Sequence, residues 1–132
     1  MKILLVEDEY LVAMSLKFVL ETMGYDVVGV ADDVASAIIE AERVHPQLAF
    51  VDIQLAQGDS GLVAAAELQK RSVICIFLTG NPPGGPRPDL ALGCLPKPFS
   101  EVALAGAIRI AEAVIAGSPL PKPPPDLELY RD

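Results

Sequence analysis

Five polar residues stand where their side chains could act together. Each of them follows or ends a run of apolar residues, and they are Glu7, Asp8, Asp52, Thr79 and Lys97. Three carboxylates at one place repel one another, so they need a hard cation, and oxygen ligands of this kind suit Mg²⁺. An Asp carboxylate can also attack phosphorus and form an acyl phosphate. The residue types therefore favour phosphoryl transfer, in which a cation, an ammonium and a hydroxyl hold the phosphoryl oxygens.

The apolar runs predict the elements that would bring these residues together. Continuous aliphatic runs are typical of strands buried on both faces, and they occur at residues 3–6, 27–30, 48–51, 73–78 and about 94–95. Helical patterns alternate with them at residues 9–23, 33–44, 62–70 and 100–116. Such alternation predicts an α/β fold with a doubly wound, five-stranded parallel sheet in the flavodoxin-like order 2-1-3-4-5. Because ligands of such sheets bind beyond the carboxyl ends of the strands, the polar residues would meet at one edge.

The composition limits the classes of partner. The chain has 132 residues and a formal net charge of −8, which opposes direct binding to nucleic acid or to an anionic membrane surface. No run approaches the roughly 20 apolar residues of a membrane span, and no signal-peptide pattern follows Lys2, so we expect a cytoplasmic protein. Cys75 and Cys94 lie in apolar runs without metal-ligand or redox spacing, and we expect both to be buried, reduced thiols.

The proline content divides the chain. We expect residues 1–117 to form one domain and residues 118–132 to form a Pro-rich tail that is extended or disordered. A tail of this length is too short for an output domain, so the predicted domain would stand alone.

The five polar residues resemble those of the receiver domains of bacterial response regulators, the CheY-like superfamily of two-component signalling. The resemblance covers residues 1 to about 117. It implies that Asp52 is the phosphoacceptor. It also implies that Mg²⁺ is the cofactor, bound by Glu7, Asp8, Asp52 and the backbone carbonyl of Gln54.

The resemblance assigns further roles around the phosphoacceptor. Thr79 matches the switch hydroxyl of the family, and Lys97 begins its Lys-Pro-Phe turn, in which the peptide bond before the proline is usually cis. Gln54 and Asn81 take the positions that flank the path of the attacking water and would tune dephosphorylation. Both are amides, which can orient a water but cannot act as a base at neutral pH.

Three features depart from the family pattern. Cys94 stands where most receivers have an aromatic residue on the fifth strand. Residues 81–88 include four prolines and two glycines, which cannot propagate a helix, so the family's fourth helix should be shortened or irregular, with at most one turn. Residues 77–81 resemble the fourth-strand motif of the alphaproteobacterial FAT GUY subclass, from which Leu78 and Asn81 depart.

The first predicted helix carries an apolar strip outside its core-facing side. The predicted core face includes Val12, Leu16, Val19 and Leu20, which leaves three apolar residues on the flank and outer face: Leu11, Met14 and Phe18. An exposed strip of this kind usually marks a partner surface. The alternative is that Leu11 and Phe18 widen the contact with the core.

The predicted function is that of a single-domain response regulator. It would accept a phosphoryl group on Asp52, with Mg²⁺, from a histidine kinase or histidine-phosphotransfer protein, and signal through protein contacts or a phosphorelay. It would catalyse only its own phosphotransfer and dephosphorylation. The alternative is a pseudo-receiver, an interaction module that works without phosphorylation, although the complete acidic set with Lys97 argues against it. A phosphohydrolase of the haloacid-dehalogenase type would need a second Asp where this chain has Gln54.

Overall fold

The apolar runs form the strands of a single sheet. The computed structural model describes residues 1–130, and its strands are β1 (Lys2–Val6), β2 (Asp26–Ala31), β3 (Leu48–Val51), β4 (Ile74–Thr79), β5 (Gly93–Pro96) and β6 (Glu128–Leu129). They lie in the order β2-β1-β3-β4-β5-β6. The first five are parallel, which confirms the predicted fold, and β6 pairs antiparallel with β5 as an additional strand.

Four α-helices are formed within residues 1–130: α1 (Tyr10–Thr22), α2 (Val34–Val44), α3 (Gly61–Gln69) and α4 (Glu101–Ala116). Three of them begin at a polar N-cap whose side chain accepts a hydrogen bond from the first turn. Asp33 accepts from the Ser36 amide at 2.8 Å, and Ser60 and Ser100 cap α3 and α4 in the same way. Such caps stabilise a helix by about 0.5–2 kcal/mol relative to alanine, and they set the helix starts within one residue of the predicted ones.

The core has two layers, one on each face of the sheet. Alternate strand residues point to opposite faces, so Ile3 and Leu5 pack with α1 and α4, whereas Leu4 and Val6 pack with α2 and α3. The largest fully buried side chains include Phe50 on the first face and Phe77 on the second. Both sides of the central strands are therefore apolar, as the continuous runs predicted, and polar chemistry is confined to the strand ends.

The connection between β4 and β5 has no helix. Residues 80–92 are described in full and form one turn, in which the Arg87 carbonyl accepts hydrogen bonds from the amides of Leu90 and Ala91 at 2.9 and 3.1 Å. The prediction of a shortened or irregular fourth helix is confirmed. The prolines and glycines of residues 81–88 explain it, since they cannot continue the i→i−4 hydrogen bonds.

The chain beyond α4 returns to the sheet. Gly117 ends α4 in the left-handed conformation, with φ of 69°. Further on, Leu127 and Tyr130 are buried, and the Tyr130 amide donates to the Leu92 carbonyl at 2.8 Å. Within the predicted tail, Glu128–Leu129 form β6 against β5, and residues 131 and 132 lie outside the described residues. The two apolar residues near its end anchor it to the domain.

No helix within residues 1–130 has the length and apolar character required to cross a bilayer. Cys75 and Cys94 are free thiols, both buried as predicted.

Candidate functional site

The parallel sheet brings the predicted polar residues to one edge. Glu7 and Asp8 follow β1, Asp52 follows β3, Thr79 ends β4 and Lys97 follows β5. The ladder continues beyond the strands, because the Asp52 amide donates to the Val6 carbonyl and the Lys97 amide to the Thr79 carbonyl, both at 2.9 Å. The functional side chains are therefore fixed by backbone hydrogen bonds rather than by a flexible loop.

Lys97 joins two of the carboxylates. Its Nζ lies 2.6 Å from Glu7 Oε1 and 3.0 Å from Asp52 Oδ2. Glu7 and Asp52 are both buried, with 6% and 9% of their surface exposed. Burial makes each contact stronger than a surface ion pair and leaves Lys97 as the cation that compensates these two charges.

The pKa values of Glu7 and Lys97 are shifted by burial and by the contacts of the Lys97 ammonium. The pKa of Glu7 is raised, first by burial and also by the Asp52 charge, against the hydrogen bonds that it accepts from Lys97 and from the Glu9 amide. Burial alone lowers the pKa of Lys97, but hydrogen bonds to Glu7 and Asp52 and their negative charges outweigh it, so its pKa is raised. Lys97 is thus held in its charged form at neutral pH.

The carboxylates of Glu7, Asp8 and Asp52 could hold a divalent cation. One oxygen from each lies within 4.8 Å of the others, and Asp8 is exposed whereas the other two are buried. One ammonium against three carboxylates leaves two negative charges uncompensated, which is the charge of one divalent cation. Oxygen donors open to water on one side fit Mg²⁺, which retains several waters. Receiver domains bind Mg²⁺ at an acidic pocket of this kind.

The backbone after Asp52 folds tightly around it. The Gln54 amide donates to Asp52 Oδ1 at 3.3 Å, and the Gly61 amide donates to the Ile53 carbonyl at 2.6 Å. A Cβ at Gly61 would overlap the Asp52 carbonyl oxygen. Sequence reasoning missed Gly61 as a positioning residue. The only signal was a glycine that directly follows the Ser60 cap.

Thr79 and the dephosphorylation candidates lie at the same edge. Thr79 is 1% exposed, and its Oγ1 accepts a hydrogen bond from the Asn81 amide at 3.0 Å. The backbone amide of Gln54 therefore donates to the Asp52 side chain, and the backbone amide of Asn81 donates to the Thr79 side chain. Gln54 and Asn81 are both exposed. The peptide bond between Lys97 and Pro98 is cis, as the family resemblance predicted.

The buried face of α1 agrees in part with the predicted one. Leu16 and Leu20 are buried as predicted and Ala13 is buried with them, whereas Val12 and Val19 are half-buried. Helical spacing places a small Ala13 against the sheet, which turns the two valines towards the flank. Of the predicted partner strip, Leu11 and Phe18 are 81% and 71% exposed and Met14 is half-buried.

A groove runs along this flank of α1. It has a volume of about 620 Å³ and lies between α1 and the β5–α4 turn. Its walls include Leu11, Val12 and Val19 on one side and Lys97 and Phe99 on the other. The groove is therefore lined in part by Lys97, whose ammonium pairs with Glu7 and Asp52.

Comparison with known proteins agrees with this geometry. Residues 3–109 match the response regulator receiver domain family. The chain is 40% identical over 115 residues to the phyllosphere-induced regulator PhyR of Methylorubrum extorquens, covering 83% of this chain and 43% of that protein. It is 33% identical over 115 residues to the transcriptional regulatory protein PdtaR of Mycobacterium tuberculosis, covering 83% of this chain and 56% of that one. The chain thus spans about half the length of these curated relatives.

A solved structure is similar over nearly its whole length. The solution structure of the receiver domain of PhyR from Erythrobacter litoralis superimposes with a TM-score of 0.74 at 31% identity, covering 92% of this chain and 94% of that one. The family match, the sheet order and the acidic edge agree with one another. The chain belongs to the receiver domains of two-component response regulators, proteins that are regulators rather than enzymes in the usual sense.

Proposed function

We propose that this receiver domain accepts a phosphoryl group on Asp52 from a histidine kinase or a histidine-phosphotransfer protein, with Mg²⁺ as its cofactor. The phosphorylated domain signals through protein contacts or passes the phosphoryl group on in a relay. The observation that carries the proposal is the Lys97 ammonium, which contacts both Glu7 and Asp52 at the carboxyl edge of the sheet.

Each residue at this edge has a different role in phosphoryl transfer. A carboxylate oxygen of Asp52 attacks the phosphorus of the donor, the P–N bond to the donor histidine breaks, and the imidazole leaves with the bond's electron pair and takes up a proton. Lys97 and Thr79 hold phosphoryl oxygens through an ammonium and a hydroxyl. A bound Mg²⁺, held by Glu7, Asp8, Asp52 and the Gln54 carbonyl, supplies the remaining positive charge.

Hydrolysis of the acyl phosphate is tuned by the rim of the same pocket. Gln54 and Asn81 expose neutral amide side chains next to Asp52 and Thr79. Amides orient a water molecule without accepting its proton, which favours an acyl phosphate that persists. Charged substitutions at either position should change the dephosphorylation rate without changing the fold, and equal rates across such variants would contradict the role.

The decisive test is phosphorylation by a small-molecule donor. With acetyl phosphate and Mg²⁺, intact-mass spectrometry should show the addition of one phosphoryl group, and Asp52→Asn should abolish it. Asp26→Asn is the matched control, since Asp26 begins β2 at the opposite edge of the sheet. Full labelling of Asp52→Asn would contradict the proposal.

The partner surface for the phosphoryl donor is the strip of Leu11, Met14 and Phe18, next to the α1 groove. Two observations support it. Leu11 and Phe18 are large apolar side chains exposed at 81% and 71%, and the groove that Leu11 lines is also lined by Lys97. A protein that brings a phosphohistidine to Asp52 therefore finds apolar area directly beside the site.

A further inference from the structure

We propose that the edge of β5 that faces away from β4 is a docking site for an extended polypeptide segment. The chain's own residues 120–130, here called the C-terminal strap, fill it in cis. A partner segment with the same pattern, an apolar residue followed three positions later by an aromatic one, displaces them. This proposal does not depend on phosphorylation of Asp52.

The strap engages the β5 edge through its backbone. Leu129 pairs with Gly93 and Glu128 with Cys94 in antiparallel register. The Tyr130 amide then donates to the Leu92 carbonyl at 2.8 Å, one residue before β5. Without the strap, β5 would be an open edge strand, and an open edge is a template for pairing with another chain.

Two side chains of the strap insert into opposite layers of the core. Leu127 is 8% exposed and belongs to the layer of α1 and α4. Tyr130 is 6% exposed and belongs to the other layer, together with Leu90, Ala91 and Cys94. The strap is therefore anchored at the edge of the sheet by Leu127 on one face and Tyr130 on the other. A competing segment needs the same pattern, an apolar residue followed three positions later by an aromatic one.

Two glycines of the domain leave room for the strap. The three atoms nearest to a Cβ at Gly93 would all belong to Glu128 and Leu129, the closest being the Glu128 carbonyl oxygen. The three nearest to a Cβ at Gly106 would all belong to the Pro124 ring, at 2.9–3.2 Å. Glycine weakens both strands and helices, so its presence in the middle of α4 and at the start of β5 is accounted for by the fit of the strap.

The strap is held in a way that permits exchange. Its strand has two residues. The hydroxyl of Tyr130 is buried beside the Cys94 thiol, which is a weak hydrogen-bond partner. A buried hydroxyl that is paired only with a thiol adds little to the stability of the docked strap, so a segment that ends in phenylalanine, or one that gives the hydroxyl a stronger partner, would compete well.

The test uses the full chain and a fluorescent synthetic peptide of residues 118–130, followed by anisotropy. In the wild-type protein the strap competes at a high effective concentration, so peptide binding should be weak. Tyr130→Ala removes one anchor of the strap but leaves the site on β5 intact, and it should bind the peptide at least about tenfold more tightly. Leu127→Ala should do the same and serves as the second variant if the first does not fold.

Two further variants fix the location of the site. Gly93→Ala places a methyl group against the backbone of any strand on the β5 edge, so it should release the strap and bind no peptide. Gly84→Ala is the matched control, because a Cβ there has no neighbour within 4 Å, and it should behave as wild type. Iodoacetamide labelling reports release of the strap independently, since Cys94 should react faster in Gly93→Ala than in wild type.

The proposal is overturned if neither anchor variant binds the peptide more tightly than wild type. It is also overturned if Gly93→Ala binds the peptide as tightly as Tyr130→Ala, because the peptide would then bind elsewhere. Light scattering should show a wild-type monomer, and a dimer formed through exchanged straps would contradict the assignment in cis.

Discussion

The residues at the carboxyl edge of β1 and β3 are held by a continuous ladder of hydrogen bonds, whereas the neighbouring β4–β5 connection (residues 80–92) is closed by one turn. Glu7 and Asp52 are buried and paired with Lys97. By contrast, most of residues 80–89 are exposed. The two regions meet at Thr79, whose backbone ends β4 and whose hydroxyl oxygen accepts a hydrogen bond from the Asn81 amide of the connection.

The two regions differ in how precisely they hold their side chains. Phosphoryl transfer depends on positioning within a fraction of an ångström, and regular strands supply it. A segment rich in proline and glycine makes few hydrogen bonds and buries little, so it can rearrange at small cost. We therefore expect the chemistry at the rigid edge and conformational change in the irregular connection.

The largest effect should come from removing a carboxylate at the rigid edge. Asp8→Ala removes one proposed metal ligand and one of three negative charges, so Mg²⁺ binding measured by calorimetry should be lost. The loss should exceed the roughly 10–100-fold typical of changes to the outer partners of a metal site. Asp26→Ala, at the opposite edge, should bind Mg²⁺ as wild type does. Unchanged binding in Asp8→Ala would mean that the cation does not use this edge.

The second effect concerns stability and separates the two regions directly. Phe77→Ala removes a fully buried ring from β4 and should lower the free energy of unfolding by about 3–5 kcal/mol. Pro86 lies in the exposed part of the connection, so Pro86→Ala should change the free energy of unfolding by less than about 0.5 kcal/mol. Urea unfolding followed by circular dichroism measures both. Similar losses would show that the connection is as firmly packed as the strands.

A smaller effect is expected on binding of the phosphoryl donor. Phe18→Ala and Met14→Ala should each weaken binding to the cognate kinase or phosphotransfer protein by about 1 kcal/mol, or roughly fivefold. Labelling by acetyl phosphate should persist, because neither side chain is at the carboxyl edge. Ile39→Ala is the matched control, since Ile39 is 63% exposed on α2, which packs against the other face of the sheet. Wild-type affinity in both α1 variants would exclude this partner surface.

The smallest effect is on thiol reactivity. Burial raises the pKa of Cys75 to about 12 and also raises that of Cys94. Alkylation requires the thiolate, so a raised pKa keeps both thiols neutral as the pH rises from 7 to about 8.5, the pKa of a free cysteine. Iodoacetamide should therefore label the folded protein far more slowly than the protein in urea across this range. Equal rates at Cys75 in the two states would contradict the burial.

Much of the fold and the meeting of the five polar residues could be predicted. Short apolar runs such as residues 48–51, alternating with helical patterns, favour buried parallel strands, and the carboxyl ends of such strands share one edge. The irregular connection was predictable as well, since the four prolines and two glycines of residues 81–88 cannot continue a helix.

The strap and the true face of α1 could not be derived in this way. Glu128–Leu129 is too short to show a strand period, and its pairing depends on Leu127 and Tyr130 finding places in layers built by distant residues. In α1, the small Ala13 takes the central buried position that hydrophobicity alone gave to Val12 and Val19. The space between α1 and the sheet requires a small side chain at this position, and a pattern of apolar residues does not show which side-chain size a position requires.

The position of Lys97 links binding in the α1 groove to binding of a cation by the carboxylates. Its ammonium lies between Glu7 and Asp52, and its side chain forms part of the wall of the α1 groove. Any molecule that enters the groove and displaces this ammonium alters the charge felt by the carboxylates, and hence their affinity for a cation. Thermodynamic reciprocity then requires the cation to change the affinity of the groove for that molecule by the same factor. Binding of such a molecule in the groove and binding of a cation at the carboxyl edge would therefore be coupled through Lys97.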